Sequence, residues 1–133
     1  PNFARRMKDL LAHKPEDALT AADVQMLKLG RHLRLSDALK IIVGRHEVDN
    51  EMSERYAAGR WTAAARDVNG PFVVIDGEPT AEQRELIARI TVNYTKAKQA
   101  AQATVDFSRN GEHRAVTIAP DAQLDPNRWR LDA

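Results

Sequence analysis

The chain has 133 residues, 29% of them charged, with 20 Lys and Arg against 19 Asp and Glu and a formal net charge of +1. That length suits one domain and is short for two, and the balanced charge means that a basic surface has to come from segregating charges rather than from an excess. The absence of cysteine excludes a disulfide frame, a cysteine-ligated zinc and persulfide or thiolate chemistry on this chain, and a reducing cytoplasm is the expected setting. No apolar run approaches a membrane span and the N-terminus lacks a signal-peptide pattern, so no membrane partner is expected. The chain starts at Pro1 without an initiating methionine and is expected to be a piece of a longer protein.

Asn2 can cap a first helix in which Phe3, Met7, Leu10 and Leu11 follow the i, i+4, i+7, i+8 pattern, with Arg5, Arg6 and Lys8 on other faces. Those cations read either as a solvated face or as contacts to a polyanion. Pro15 ends the helix, and residues 1–20 are taken as helix plus connector, with Thr20 able to start a helical turn. From Met26 to Leu35 the alternation predicts a half-buried strand. Leu27, Leu29, Leu33 and Leu35 share one side and Lys28, His32 and Arg34 the other; a helix over 21–29 is the competing reading. Ser36 and Asp37 turn the chain, and Leu39 to Val43 returns as a hairpin partner buried on both faces.

Gly44-Arg45 then opens a helix over Glu47–Tyr56, with Val48, Met52 and Tyr56 on one face and Gly59 as its left-handed close. A strand ending in Gly-Arg before a helix turns free N–H groups and a guanidinium outward, which favours an anion. The plain alternative is a tight connection with Arg45 paired to Glu47 or Asp49. Residues 60–68 and 72–75 predict two adjacent strands around the tight Asn69-Gly70-Pro71 corner, although alanines 63 to 65 are weak strand formers.

Thr80 and Gln83 form a capping box before a long helix with the apolar stripe Leu86, Ile87, Ile90, Tyr94 and Ala97. Glu82 and Glu85 at its start and Lys96 and Lys98 near its end follow the helix dipole, while Arg89, Asn93 and Lys96 share a face that can meet solvent or phosphate. Residues 103–108 and 114–119 flank Arg-Asn-Gly-Glu and predict a closing hairpin. In the polar tail, residues 121–133, Trp129 can pack back or offer a base a stacking plate between Arg128 and Arg130. The elements add up to a single compact α+β domain: a mainly antiparallel or mixed sheet of five to six strands with two or three packed helices.

The four histidines, His13, His32, His46 and His113, lie on separate elements without metal-ligand spacing, and the chain has no phosphate loop, nucleophile elbow or Ser-x-x-Lys. No metal, cofactor or catalytic residue is expected. Arg66 and Asp67 either order a turn or, with His32, supply a cation and carboxylate to a pocket; the enzymatic reading ranks last. A basic sheet face is expected from Lys28, His32 and Arg34, with Arg31 and Arg45 close by.

Taken together, GRHLRL, IIVGRHEVDNEM, RDVNGPFVVI and the helix ending in VNYTKAK resemble the RNA-binding domain of the NFACT family, in the form appended to PP-loop tRNA sulfurtransferases similar to 4-thiouridine synthases. The resemblance runs from about Leu27 to about Phe107 in the family's order. Its glycine, arginine and asparagine fall on Gly44, Arg45 and Asn50; its Arg-Asp pair and turn on Arg66, Asp67, Gly70 and Pro71; and its later motif on Tyr94, Thr95, Lys96 and Lys98. Ala64 stands where the family usually has histidine; if that histidine carries function elsewhere this domain has lost it, which puts in doubt the transfer of any role in peptide-chain elongation or ribosome rescue. The resemblance implies an α+β fold with RNA, most plausibly tRNA, as ligand, held for a thiolating domain elsewhere in the parent. With the basic face it gives the expected RNA-binding set Arg31, His32, Arg34, Arg45, His46, Asn50, Arg66, Asp67, Lys96 and Lys98. The alternative is a protein-interaction or dimerisation domain of the same parent; the oligomeric state is left open.

Overall fold

The computed structural model describes residues 2–132. Six strands, β1 (Arg31–Ser36), β2 (Leu39–Val43), β3 (Trp61–Ala65), β4 (Val73–Asp76), β5 (Ala103–Arg109) and β6 (Glu112–Ile118), form one sheet in the order β1-β2-β4-β3-β5-β6. Every neighbouring pair is antiparallel. Four helices, α1 (Asn2–His13), α2 (Ala21–Met26), α3 (Glu47–Tyr56) and α4 (Ala81–Asn93), accompany it, which is the expected α+β class.

The β-branched run of β2 makes it a central strand, all five residues buried. Its odd residues join Leu33, Val73, Ile75, Val105 and Phe107 in the main core, which α4 closes with Ile87, Ala88, Ile90 and Val92. Each fully buried Leu or Ile contributes roughly 1.5–3 kcal/mol, so α4 is the chief clamp on that face. On the opposite face Ile42 and Val74 meet Met26 and Ala57 in a smaller cluster. α4 starts at the capping box read from sequence: Thr80 Oγ1 accepts from Gln83 N at 3.1 Å and Gln83 Oε1 accepts from Thr80 N at 2.9 Å. The β5–β6 hairpin turns on Asn110 and Gly111, both at positive φ (50° and 84°), as a two-residue loop demands.

Several elements differ from expectation for identifiable reasons. β1 begins at Arg31, five residues after Met26, because Thr20 and Asp23 cap each other (3.1 and 2.9 Å) and draw residues 21–26 into α2, the competing helical reading. α1 buries Arg6 and Leu10, while Phe3 and Leu11 stay 42% and 56% exposed. Arg6 donates to the carbonyls of Leu27 and Gly30, 2.8 Å each, and to Asp132 at 2.9 Å; this ionic and hydrogen-bonded anchor takes the place of an apolar stripe. Asn2 is itself helical, and the cap position before it lies outside the described residues. α3 has the expected bounds but turns Asp49 and Ser53 inward and leaves Val48 exposed. Residues 66–72 form a long connection whose left-handed residue is Asp67 (φ 60°), in place of a tight Asn-Gly corner. Lys96 and Lys98 sit on a separate 3-10 turn that Thr95 caps through Ala97 N (3.1 Å), not on the last turn of α4.

The tail packs back. Trp129 joins the main core, and the segment after it runs beside β1, with Arg130 bridged to Leu33 and Leu131 N donating to His32 O at 3.1 Å. One edge of the sheet is thereby covered.

Candidate nucleic-acid interface

The start of β1, the junction of β2 and α3, the 66–72 connection and the end of α4 meet at one end of the sheet. They wall a cleft of about 300 Å³ lined by Arg31, Gly44, Arg45, His46, Asn50, Asn69, Gly70, Pro71 and Tyr94. Two contacts fix its floor. Asn50 Oδ1 accepts from Phe72 N (3.0 Å), and Gly44 N donates to Phe72 O (3.1 Å). A Cβ on Gly44 would collide with Asn50 Oδ1, so this glycine is required by close approach and not by φ. Gly70 is similarly confined: a Cβ there would stand 2.6 Å from Thr95 Cγ2. With Oδ1 committed, Asn50 keeps its Nδ2 without a partner among the described residues.

The α3 N-terminus already holds an anion, the chain's own Asp49. Its carboxylate accepts from Gly30 N (3.2 Å), Arg45 N (3.2 Å) and Arg45 Nε (2.9 Å), and it is buried. Burial would raise this carboxyl, but the hydrogen bonds and charge of Arg45 outweigh it and hold it below the ordinary range, so it stays ionised. The pairing offered as the plain alternative for Arg45 is therefore real. Only Nε is committed to it, however, and the side chain remains 39% exposed. His46 caps α3, its Nδ1 accepting from Asp49 N at 3.4 Å. Arg31 lays its guanidinium 4.8 Å from the centre of the Tyr94 ring and donates Nη1 to Gly44 O at 3.3 Å, which holds the cation flat against one wall.

Arg66, Asp67, Lys96 and Lys98 lie beyond this cleft. Arg66 and Asp67 line a shallower depression of about 430 Å³ with Val68, Ala97 and Thr104. The 66–72 connection contributes to both, and the 3-10 turn carrying the two exposed lysines follows Tyr94 directly. Arg66 grips Asp106 at 3.0 and 2.5 Å, yet both side chains are nearly half exposed, so the pair is easily exchanged for another anion.

His32 and Arg34 are not on an exposed basic face. His32 is fully buried, its Nε2 within 3.0 Å of Met26 O and 3.1 Å of Leu29 O. Burial, then the charges of Lys40 and Arg6, push its imidazole well below the usual value, so it is neutral and structural. Arg34 pairs with Asp9 on α1 at 2.7 Å. The reason is the strand period: Arg31 and Arg34 are three residues apart and point to opposite faces, and α1 and α2 cover the face that the sequence left open. Arg89 and Asn93 likewise hold the tail, donating to Ala119 O (3.2 Å) and Leu124 O (3.0 Å). The convergence of Arg66, Asp67 and His32 does not occur, and the described residues contain no group of three potential metal ligands. Asn69 and Tyr94 were outside the expected RNA-binding set; the Asn-Gly-Pro and Tyr-Thr motifs were the signal that contained them.

Fold and cleft define a class: a small α+β domain with a polar, cationic notch at one end of an antiparallel sheet. The family model for the NFACT protein RNA binding domain matches residues 30–130, and the chain belongs to this family of RNA-binding modules. The solved C-terminal region of the fibronectin/fibrinogen-binding protein from Streptococcus suis is similar in fold, with a TM-score of 0.58 at 16% sequence identity. That similarity covers 90% of this chain and 63% of the other, so the chain spans less than two thirds of it. No curated protein matches the sequence.

Proposed function

We propose that the chain is a non-catalytic tRNA-binding module, presenting tRNA to a thiouridine-forming sulfurtransferase domain of a longer cytoplasmic protein. One observation carries this reading. Gly44, Arg45 and Asn50 from one motif, Asn69 to Pro71 from a second and Tyr94 from a third wall a single cleft together with Arg31. A notch of about 300 Å³ suits a phosphate and its sugar better than a base pair. The uncommitted Nη groups of Arg45, the edge of Arg31 and the Nδ2 of Asn50 are donors for phosphate oxygens and a 2′-hydroxyl. Lys96, Lys98 and Arg66 extend the cationic track along the neighbouring surface. Such a site grips backbone and shape, and tRNA, a folded A-form ligand, suits it more than a sequence-defined single strand. The absence of cysteine leaves sulfur transfer to another domain, in line with the resemblance of the sequence motifs to the form of this domain appended to sulfurtransferases.

The test is a titration of tRNA at graded salt. Replacing Arg31 or Arg45 with alanine lowers affinity about tenfold and the salt slope by about one unit each. Arg34→Ala removes the same charge from the other face and leaves affinity unchanged once the fold is verified. Equal losses for all three, or none, would overturn the assignment of the cleft. Parent protein carrying the Arg31 variant should also lose thiouridine in cellular tRNA; an unchanged level would refute the sulfurtransferase setting.

A further inference from the structure

Arg6 and Asp132 lie outside residues 30–130, the stretch that matches the family. They are 126 positions apart in sequence, yet they meet beside Gly30, the residue before Arg31 of the cleft. Their side chains are 4% and 0% exposed. Arg6 commits every guanidinium nitrogen: Nε to Asp132 Oδ2 (2.9 Å), Nη1 to Leu27 O and Nη2 to Gly30 O (2.8 Å each). The other carboxylate oxygen of Asp132 accepts from Arg130 Nε at 3.1 Å. Burial lowers the Arg6 guanidinium from its ordinary value, Asp132 opposes this, and the charges of Arg45 and Arg130 lower it further. Asp132 is thus the acid that lets these cations gather.

Gly30 passes the contact on to the cleft. Its φ is 61° and a Cβ there would stand 2.6 Å from Val43 O, so only glycine fits and no side chain of its own steadies it. Two hydrogen bonds do so instead. Arg6 holds its carbonyl, and its N–H donates to Asp49 Oδ2 at 3.2 Å, the oxygen that also accepts from Arg45 N and Nε. The carbonyl of Gly30 and the N–H of Arg31 belong to one rigid peptide plane. Turning that plane swings Arg31, and moving the Gly30 N–H disturbs the seat of Arg45.

We infer that Asp132 and Arg6 are positioning residues for the RNA cleft: the two terminal segments clasp the chain at Gly30 and fix the directions in which Arg31 and Arg45 meet phosphate. The inference rests on the RNA-binding reading above. Its sign separates it from plain electrostatics. Asp132 is an acid near a cationic site, so charge alone predicts that removing it tightens RNA binding. Positioning predicts the opposite. A role confined to holding the fold predicts easier unfolding, with no loss of affinity in the protein that stays folded.

The experiment compares Asp132→Ala with the wild type in the whole chain, by titration with tRNA at fixed salt and by amide hydrogen exchange without RNA. Binding should weaken about fivefold despite the lost negative charge, and that loss should vanish in a chain already carrying Arg31→Ala and Arg45→Ala. Amides of Gly30 and Arg45 should exchange at least about tenfold faster, while those of Ile41 and Ile75 in the central strands follow global stability alone. Asp132→Asn leaves an oxygen for Arg6 and withdraws only the charge. It should move both readouts the same way by less, and it replaces the alanine variant if that one does not fold. Equal or tighter binding by the folded variant, the same loss in the Arg31→Ala, Arg45→Ala background, or exchange at Gly30 and Arg45 no faster than global stability dictates would each overturn the clasp. The exchange readout involves no RNA, so its failure leaves the RNA-binding reading intact; that reading stands or falls on the Arg31→Ala and Arg45→Ala titrations themselves.

Discussion

At the scale of single residues, the cleft depends on an arginine shared between two tasks. Arg45 gives its Nε to the buried carboxylate of Asp49 and has its other nitrogens available to a ligand. Truncating it therefore costs stability as well as affinity, since it leaves a buried charge short of a partner. Arg31, stacked on Tyr94, is the cleaner probe. Gly44 provides a test that alters no charge: Gly44→Ala forces Asn50 off Phe72 N, and should cost about 2–4 kcal/mol in urea unfolding and weaken tRNA binding in protein that remains folded. Unaltered stability would mean that Asn50 gives way freely and is not the fixed floor described. The sequence displayed Gly44, Arg45 and Asn50 as a motif, but it could not show that Asp49 lies beneath them. Nothing in the helical pattern singles out one acid among Glu47, Asp49 and Glu51, and only the approach of Gly30 decides it.

At the scale of elements, the seam between α1 and the sheet is ionic where helix periodicity predicted an apolar one. Asp9 of α1 pairs with Arg34, and Lys14, just after the helix, reaches Asp23 and Asp76 at 3.1 and 3.0 Å. Lys40 of β2 lies at this seam, 2% exposed. Burial pushes its ammonium down from 10.5 to about 8, with Asp76 pulling the other way. The folded chain thus releases this proton before the unfolded chain does. The resulting penalty, about 3 kcal/mol, stands in full below pH 8 and fades as pH rises toward 10.5. Lys40→Met should raise stability at pH 7 by about 1–3 kcal/mol, with the gain shrinking by pH 10; paired urea melts at the two values measure it. A variant less stable at pH 7 would show that Asp76 and Asp9 compensate the charge fully. The strands and α4 were legible because their apolar periods and caps are local. The face of β1 carrying His32 and Arg34 was not: alternation marks two faces, and a second layer over the polar one is a tertiary fact that no window along the chain contains.

At the scale of the molecule, a chain with a net charge of +1 acquires a cationic notch by sorting. Arg34, Arg60 and Lys14 are bound to acids at the α1 seam, while Arg31, Lys96 and Lys98, and Arg45 beyond its Nε bond to Asp49, are left around one end of the sheet. The six-stranded antiparallel scaffold brings together three motifs that are far apart in sequence, which is why those motifs read as weak signals one by one and as a site only when folded. The most direct measurement is a residue-resolved map of amide chemical-shift changes on adding tRNA to the isotope-labelled chain. The perturbed amides should cluster at residues 44–50, 69–71 and 94–98, with Arg31, and should leave the seam residues Asp9, Arg34 and Lys40 unmoved. Perturbations centred on that seam or on the β6 edge, or none at saturating tRNA, would contradict the account.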